Sequence, residues 1–167
     1  MYGAERIPES GGVLIAANHF TALDPFVVGV PGRRGMHFFA KGQLFQRSLM
    51  TEAIVWLGAI PVGHKADNRA SLRQAVELLR AGRVVAIFIE GARQDGDGVG
   101  DAMPGAALLA LRAGVPVVPC GLDTHGWSRK RRRKCAVVFG EPLRFDGLPA
   151  GREGVEQATA SISTAVE

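Results

Sequence analysis

The run Asn18-His19-Phe20-Thr21-Ala22-Leu23-Asp24-Pro25 places a histidine and a carboxylate five positions apart. No serine lies between them. The pair therefore offers a base and its orienter: the acid fixes the imidazole tautomer and stabilises the imidazolium. Such a base can take a proton from a substrate hydroxyl as that hydroxyl attacks an acyl carbon. Asp24 precedes a proline, which disfavours the helical region, while Pro25 suits a first helical position, so the spacing predicts Asp24 as a helix N-cap. The loop is long enough to bring His19 back to that carboxylate. A helix cap beside a loop histidine, with no chemistry, would give the same spacing.

Glu90-Gly91-Ala92-Arg93 follows the most strongly apolar run, Val84 to Ile89. A charged cluster directly after a buried strand either faces the carboxyl edge of the sheet or pairs internally. The planar fork of Arg93 suits a phosphate, and Glu90 can accept from a hydroxyl or hold Arg93 in place. A Glu90–Arg93 ion pair that stabilises a turn is the plain alternative. His64 and Lys65 add a third cationic spot after Ala59 to Val62, which a solvated turn would equally explain.

The formal charge is +4, with 20 Lys+Arg against 16 Asp+Glu. Arg129, Lys130, Arg131, Arg132, Arg133 and Lys134 stand together, and without these six the balance is −2. The basicity thus belongs to one segment. Anionic lipid attracts such a run at about 1 kcal/mol per Lys or Arg near the surface, and Trp127 just before it suits an interface. Nucleic acid is the rival partner, disfavoured because the segment has a single aromatic and matches no binding module. Cys120 and Cys135 lie in apolar surroundings without C-x-x-C spacing. That favours buried packing in a reducing compartment, and no metal site is expected.

The elements that must position these residues follow from periodicity and punctuation. A chain of 167 residues, 47% hydrophobic and 22% charged, suits one domain with a sizeable core. Strands are predicted at Val13 to Ala17, Met36 to Ala40, Ala59 to Val62, Val84 to Ile89, Val115 to Cys120 and Cys135 to Phe139. Helices are predicted at Pro25 to Val30, Leu44 to Leu57, Ala70 to Ala81, Gly105 to Ala113 and from about Arg152 onward. Asp67 or Asn68 would cap the third and Gly82 would stop it, while Pro104 and Gly114 bound the fourth. The alternation implies an α/β fold, a mostly parallel central sheet with crossover helices on both faces. Val84 to Ile89 and Val115 to Cys120, apolar on both faces, belong at its centre. One domain spans residues 1–167, with its core at 13–142, a polar linker from Asp123 to Arg133 and a last helix at about 152–166.

Taken together, these residues resemble the glycerolipid (lysophospholipid) acyltransferase family. Its N-H-x-x-x-x-D block matches Asn18, His19 and Asp24, and its F-P-E-G-T-R block is similar to Phe88-Ile89-Glu90-Gly91-Ala92-Arg93. Its V-P-I-V-P block resembles Val115-Pro116-Val117-Val118-Pro119, and its G-x-P matches Gly140-Glu141-Pro142. The blocks agree in order and spacing from Val13 to Pro142. One departs: where the family follows Gly-Ala-Ile-Pro-Val with a phosphate-binding arginine, Gly58-Ala59-Ile60-Pro61-Val62 runs into Gly63-His64-Lys65. Lys65 or a protonated His64 would stand in without a bidentate fork.

The resemblance implies acyl transfer from an acyl-coenzyme A or acyl carrier protein thioester to the free hydroxyl of a lysophosphatidate-like acceptor, a step of phospholipid biosynthesis. His19 would be the general base, Asp24 its orienter, and Asn18, Glu90, Gly91, Arg93, His64 and Lys65 would line the substrate. No cofactor, metal or covalent acyl-enzyme is implied. The altered second block keeps a different lysolipid, amino-lipid or glycolipid acceptor in view, and the basic run a non-catalytic module binding membrane or nucleic acid. No signal peptide precedes the first strand, and the longest apolar stretch, Ala53 to Gly63, is too short to span a bilayer. The family's apolar N-terminal anchor is expected to be absent or to have been trimmed from this chain. The expected location is therefore cytoplasmic, peripheral at the inner face of the cell membrane, held by Arg129 to Lys134. The apolar helix Leu44 to Leu57 would pack in the core or border an acyl-chain groove.

Overall fold

Val13, Leu14, Ile15, Ala16 and Ala17 are all fully buried, which a strand achieves only when both of its faces are covered. In the computed structural model, which describes residues 1–29, 34–42, 52, 58–63, 65–94, 98–124 and 135–167 and only the backbone of 65–67, this strand is β1 (Val13–Ala17). Around it lie β2 (Met36–Lys41), β3 (Ala59–Val62), β4 (Val84–Phe88), β5 (Val117–Asp123) and β6 (Ala136–Phe139). The sheet order is β3-β2-β4-β1-β5-β6. Every neighbouring pair is parallel except β5 and β6, which run antiparallel.

Four described helices cover the sheet: α1 (Asp24–Gly29), α2 (Lys65–Arg80), α3 (Gly105–Ala113) and α4 (Arg152–Val166). Alternating strand residues feed two cores. Leu14, Ala16, Val85 and Val117 meet Leu79 of α2, Leu109 of α3 and Ile162 of α4 on one face. Val13, Ile15, Val84 and Val118 meet Val28 of α1 on the other, with Ala4 and Ile7 packed alongside. Helices thus lie on both faces, as the α/β alternation requires.

This arrangement opens a crevice where the chemistry is expected. After β1 the chain leaves toward the α1 face, and after the adjacent β4 it leaves toward the α3 face. Adjacent parallel strands whose connections depart to opposite faces leave a cleft outside their carboxyl ends.

Several boundaries differ from the sequence reading. β5 starts two residues late because Val115 and Gly114 finish α3: both donate to the Ala110 carbonyl, with Gly114 left-handed at φ 68°. It then runs on to Asp123, past the predicted Cys120, because β6 pairs Leu122 with Val137 and Asp123 with Ala136. α2 begins at Lys65 rather than Ala70, so Asp67 and Asn68 lie inside it instead of capping it. Its polar first turn carries no apolar period to reveal the start. Cys135 falls just outside β6 and is exposed, against the expectation of buried packing, whereas Cys120 is buried. The predicted helix at residues 44–57, apart from residue 52, and the basic run lie outside the described residues.

Candidate active site

β1 ends at Ala17, in register with Phe88 of β4, and the next residues carry His19 and Glu90 to the same level of the crevice. His19 stacks on Phe88, ring centroids 4.0 Å apart and 16° from parallel. Its Nδ1 lies 2.9 Å from Asp24 Oδ2. The imidazole is therefore held by a ring on its face and a carboxylate at one nitrogen, with Nε2 as the remaining basic atom.

The Asp24 carboxylate is fully buried. Oδ2 accepts from His19 Nδ1 and from the backbone N–H groups of Phe20 and Thr21, each at 2.7 Å. Oδ1 accepts from the hydroxyls of Thr21 at 2.6 Å and Thr124 at 2.8 Å. Burial pushes its pKa up, but the hydrogen bonds from His19, Thr21 and Thr124 outweigh it and lower the value to about 2. An ionised carboxylate only accepts, so Nδ1 carries the proton and Nε2 is free to take one.

The predicted N-cap is corrected here. Helix α1 begins at Asp24 itself, and the Leu23 carbonyl receives the first helical bond, from Val27. The carboxylate turns back into the loop instead of capping forward, because four donors of that loop, together with Thr124 after β5, converge on it. This is what lets it reach His19.

The second loop braces the first. Glu90 Oε2 accepts from the His19 backbone N–H at 2.7 Å and Oε1 from Gly100 N–H at 2.9 Å, while Gln94 N–H donates to the His19 carbonyl at 2.8 Å. Glu90 is buried, and among the described residues no ion pair joins it to Arg93. The internal Glu90–Arg93 pair is thus absent. Arg93 is exposed on the loop that wraps His19. Gly91 turns this loop at φ 69°, where a Cβ would also meet Met103 Sδ at 2.6 Å; its contribution is backbone shape.

Asn18 is buried and spans to β5, its amide donating to the Leu122 carbonyl at 2.9 Å and its oxygen accepting Leu122 N–H at 2.7 Å. The motif asparagine thus extends the β1–β5 pairing by one side chain. Thr124 was missed in the sequence: nothing marks it until the topology puts β5 beside β1. Thr21 sits inside the motif at a position the pattern leaves open. Cys120, close by, is no nucleophile, because burial and the Asp24 charge push its thiol up to about 12.

Lys65 opens α2 after β3, at the carboxyl edge as expected, but β3 lies three strands, about 14 Å, from β1. His64 and Arg129 to Lys134 lie outside the described residues. Among the described residues no His, Cys, Asp and Glu group is placed to hold a metal ion, and no helix is long and apolar enough to cross a membrane. A pocket of about 560 Å³ lies beside Asn18 and Phe20, walled by Val99, Leu122, Val138 and Val166. A smaller one, about 210 Å³, sits by Gly114 and Phe145 at the opposite edge, away from His19.

Comparison with known proteins bears on the family and the fold. The chain is 27% identical over its whole length to the 1-acyl-sn-glycerol-3-phosphate acyltransferase of Bacillus subtilis, spanning 85% of that protein. It is 28% identical to the Borreliella burgdorferi protein of the same name, with 72% of this chain aligned, and spans about half of that relative (49%). The crystal structure of the 1-acyl-sn-glycerophosphate acyltransferase from Thermotoga maritima superposes with a TM-score of 0.74 at 22% identity, covering 98% of this chain and 68% of that one; it shares the fold. The family profile described as Acyltransferase matches residues 1–123, a span that holds His19, Asp24, Glu90 and Arg93. This chain belongs to the acyltransferase family.

Proposed function

We propose that the protein moves a fatty acyl group from an acyl thioester to the free hydroxyl of 1-acylglycerol-3-phosphate, by direct attack assisted by His19. The observation that carries the reading is the His19–Asp24 pair at the carboxyl ends of β1 and β4, with Nδ1 committed to a buried carboxylate and Nε2 left as the basic atom. His19 Nε2 takes the proton of the acceptor hydroxyl as its oxygen bonds to the thioester carbonyl carbon. The carbon–sulfur bond then breaks, and the departing sulfur recovers the proton from Nε2. Asp24 stabilises the imidazolium between those transfers and stays ionised throughout.

Arg93, exposed on the loop that wraps His19, is the candidate for the acceptor phosphate, with Lys65, at the start of α2 on the same edge, and His64, its neighbour in sequence, as further candidate cations. The largely apolar pocket lined by Asn18 and Phe20, the residues that flank His19 in sequence, gives an acyl chain a place to leave water. Acyl-coenzyme A and acyl carrier protein are the candidate donors. The basic run Arg129 to Lys134 would hold the enzyme at an anionic membrane surface, where its lipid acceptor resides.

A second acceptor class stays in play because of one observation: Gly63-His64-Lys65 stands where the family pattern has arginine. A thiol-release assay with long-chain acyl-coenzyme A and acyl carrier protein thioesters, run with lysophosphatidate, other lysolipids or no acceptor, separates the two. Release that needs lysophosphatidate is the expected result. Release with another lysolipid alone would transfer the specificity to the altered segment, and no release from either donor would sink the reading.

A further inference from the structure

We infer that Thr124 is a positioning residue for this reaction: its hydroxyl, donating to Asp24 Oδ1, fixes the carboxylate that aims His19 and ties the pair to the end of β5. The inference rests on the proposed role of the His19–Asp24 pair. Thr124 lies one residue beyond the family profile match and one beyond the last residue of β5.

The two oxygens of Asp24 are held differently. Oδ2 takes His19 and two backbone N–H groups of the same loop, whereas Oδ1 takes two hydroxyls, Thr21 and Thr124. Thr21 belongs to the loop and moves with it. Among the described donors, Thr124 alone comes from outside the segment 19–24, anchored by the strand whose Leu122 is already bound at both backbone groups by Asn18. Both groups are almost fully buried, Thr124 at 2% exposure and Asp24 at 0%. Water therefore does not stand in for the hydroxyl. A hydrogen bond to a charged acceptor in such a site is stronger than one in water. Without it, Oδ1 keeps one donor, and the carboxylate can rotate away from Nδ1.

The test compares Thr124→Val, which keeps size and removes the donor, with Thr124→Ser, which restores it. In the thiol-release assay, Thr124→Val should lower kcat about tenfold. The KM values for donor and acceptor should stay within about twofold, since Thr124 touches neither substrate. Thr124→Ser should recover most of kcat. The second readout needs no activity: the ¹³C resonance of the Asp24 carboxyl, followed from pH 6 downward, should titrate higher in Thr124→Val than in the parent and return in Thr124→Ser. Among the described residues its charged and titratable neighbours are His19, Cys120 and Cys135; both thiols are pushed up and stay neutral over that range.

Parent-like kcat with an unmoved Asp24 titration in Thr124→Val would overturn the inference. So would a loss of kcat that Thr124→Ser does not restore, which is the mark of packing alone. Should the valine variant not fold, Thr124→Ala, which also removes the donor, must show the same loss, and parent-like kcat there would overturn it equally. If the parent releases no thiol with any acceptor, the proposed function fails, and the carboxyl titration alone decides whether Thr124 fixes Asp24.

Discussion

Five donors converge on one buried carboxylate, and that convergence decides the protonation of the whole site. It holds the Asp24 pKa down at about 2 against a usual 3.8, so folding favours the ionised form. The contribution to stability is fully present above about pH 4 and is lost as pH falls through 2, and it amounts to about 2 kcal/mol. Denaturant unfolding of the parent and Asp24→Asn should accordingly differ most near neutral pH, and the gap should narrow between pH 4 and pH 2. A gap independent of pH would mean the carboxylate is held by shape rather than charge. At this scale the sequence showed His19 and Asp24 together, because their spacing is local. It hid Thr124, a hundred residues away, and it misread Asp24 as a cap because proline spacing says where a helix starts and nothing about which way a carboxylate turns.

At the scale of elements, the site depends on two loops that hold each other. Glu90 and Gln94 bind the two backbone groups of His19, and Gly91 supplies the turn that lets them do so. Replacing Gly91 by Ala puts a side chain into a left-handed conformation at a cost of roughly 1–2 kcal/mol. Met103 Sδ, at the end of a flexible side chain, can move aside, so Met103→Ala should not rescue the variant. Gly91→Ala should lower the denaturation midpoint and kcat together; recovery on adding Met103→Ala would show that the clash, not the backbone, dominates. β1 and β3 were legible to the residue, since short apolar runs bounded by Gly and Pro have sharp ends. The start of α2 and the ends of β5 were not, because a polar first turn, a helix cap and an antiparallel partner set them.

At the scale of the molecule, the sheet order puts β4, β1 and β5 at the centre and carries the segments after β1 and β4 to one carboxyl edge, Asn18, His19, Glu90 and Arg93 together and Lys65 farther along. The parallel central sheet was readable from the α/β alternation, and its strand order was not, since periodicity says nothing about which strands are neighbours. The charge of the chain, by contrast, is concentrated in Arg129 to Lys134. Changing Arg131, Arg132 and Arg133 to Ala should weaken binding to anionic vesicles by roughly 10²-fold or more at low salt. The deficit should shrink as ionic strength rises. Turnover of a dispersed short-chain acceptor should be unaffected. Equal vesicle binding by parent and variant would remove this segment from any membrane role.

The central claim is that His19 is the base. It is tested most directly by single-turnover acyl transfer with the parent and His19→Ala under saturating donor and acceptor, alongside circular dichroism of both. The account predicts an unchanged fold and a rate reduced by roughly 10²- to 10⁴-fold in the variant. A folded His19→Ala that transfers the acyl group at the parent's rate would contradict it.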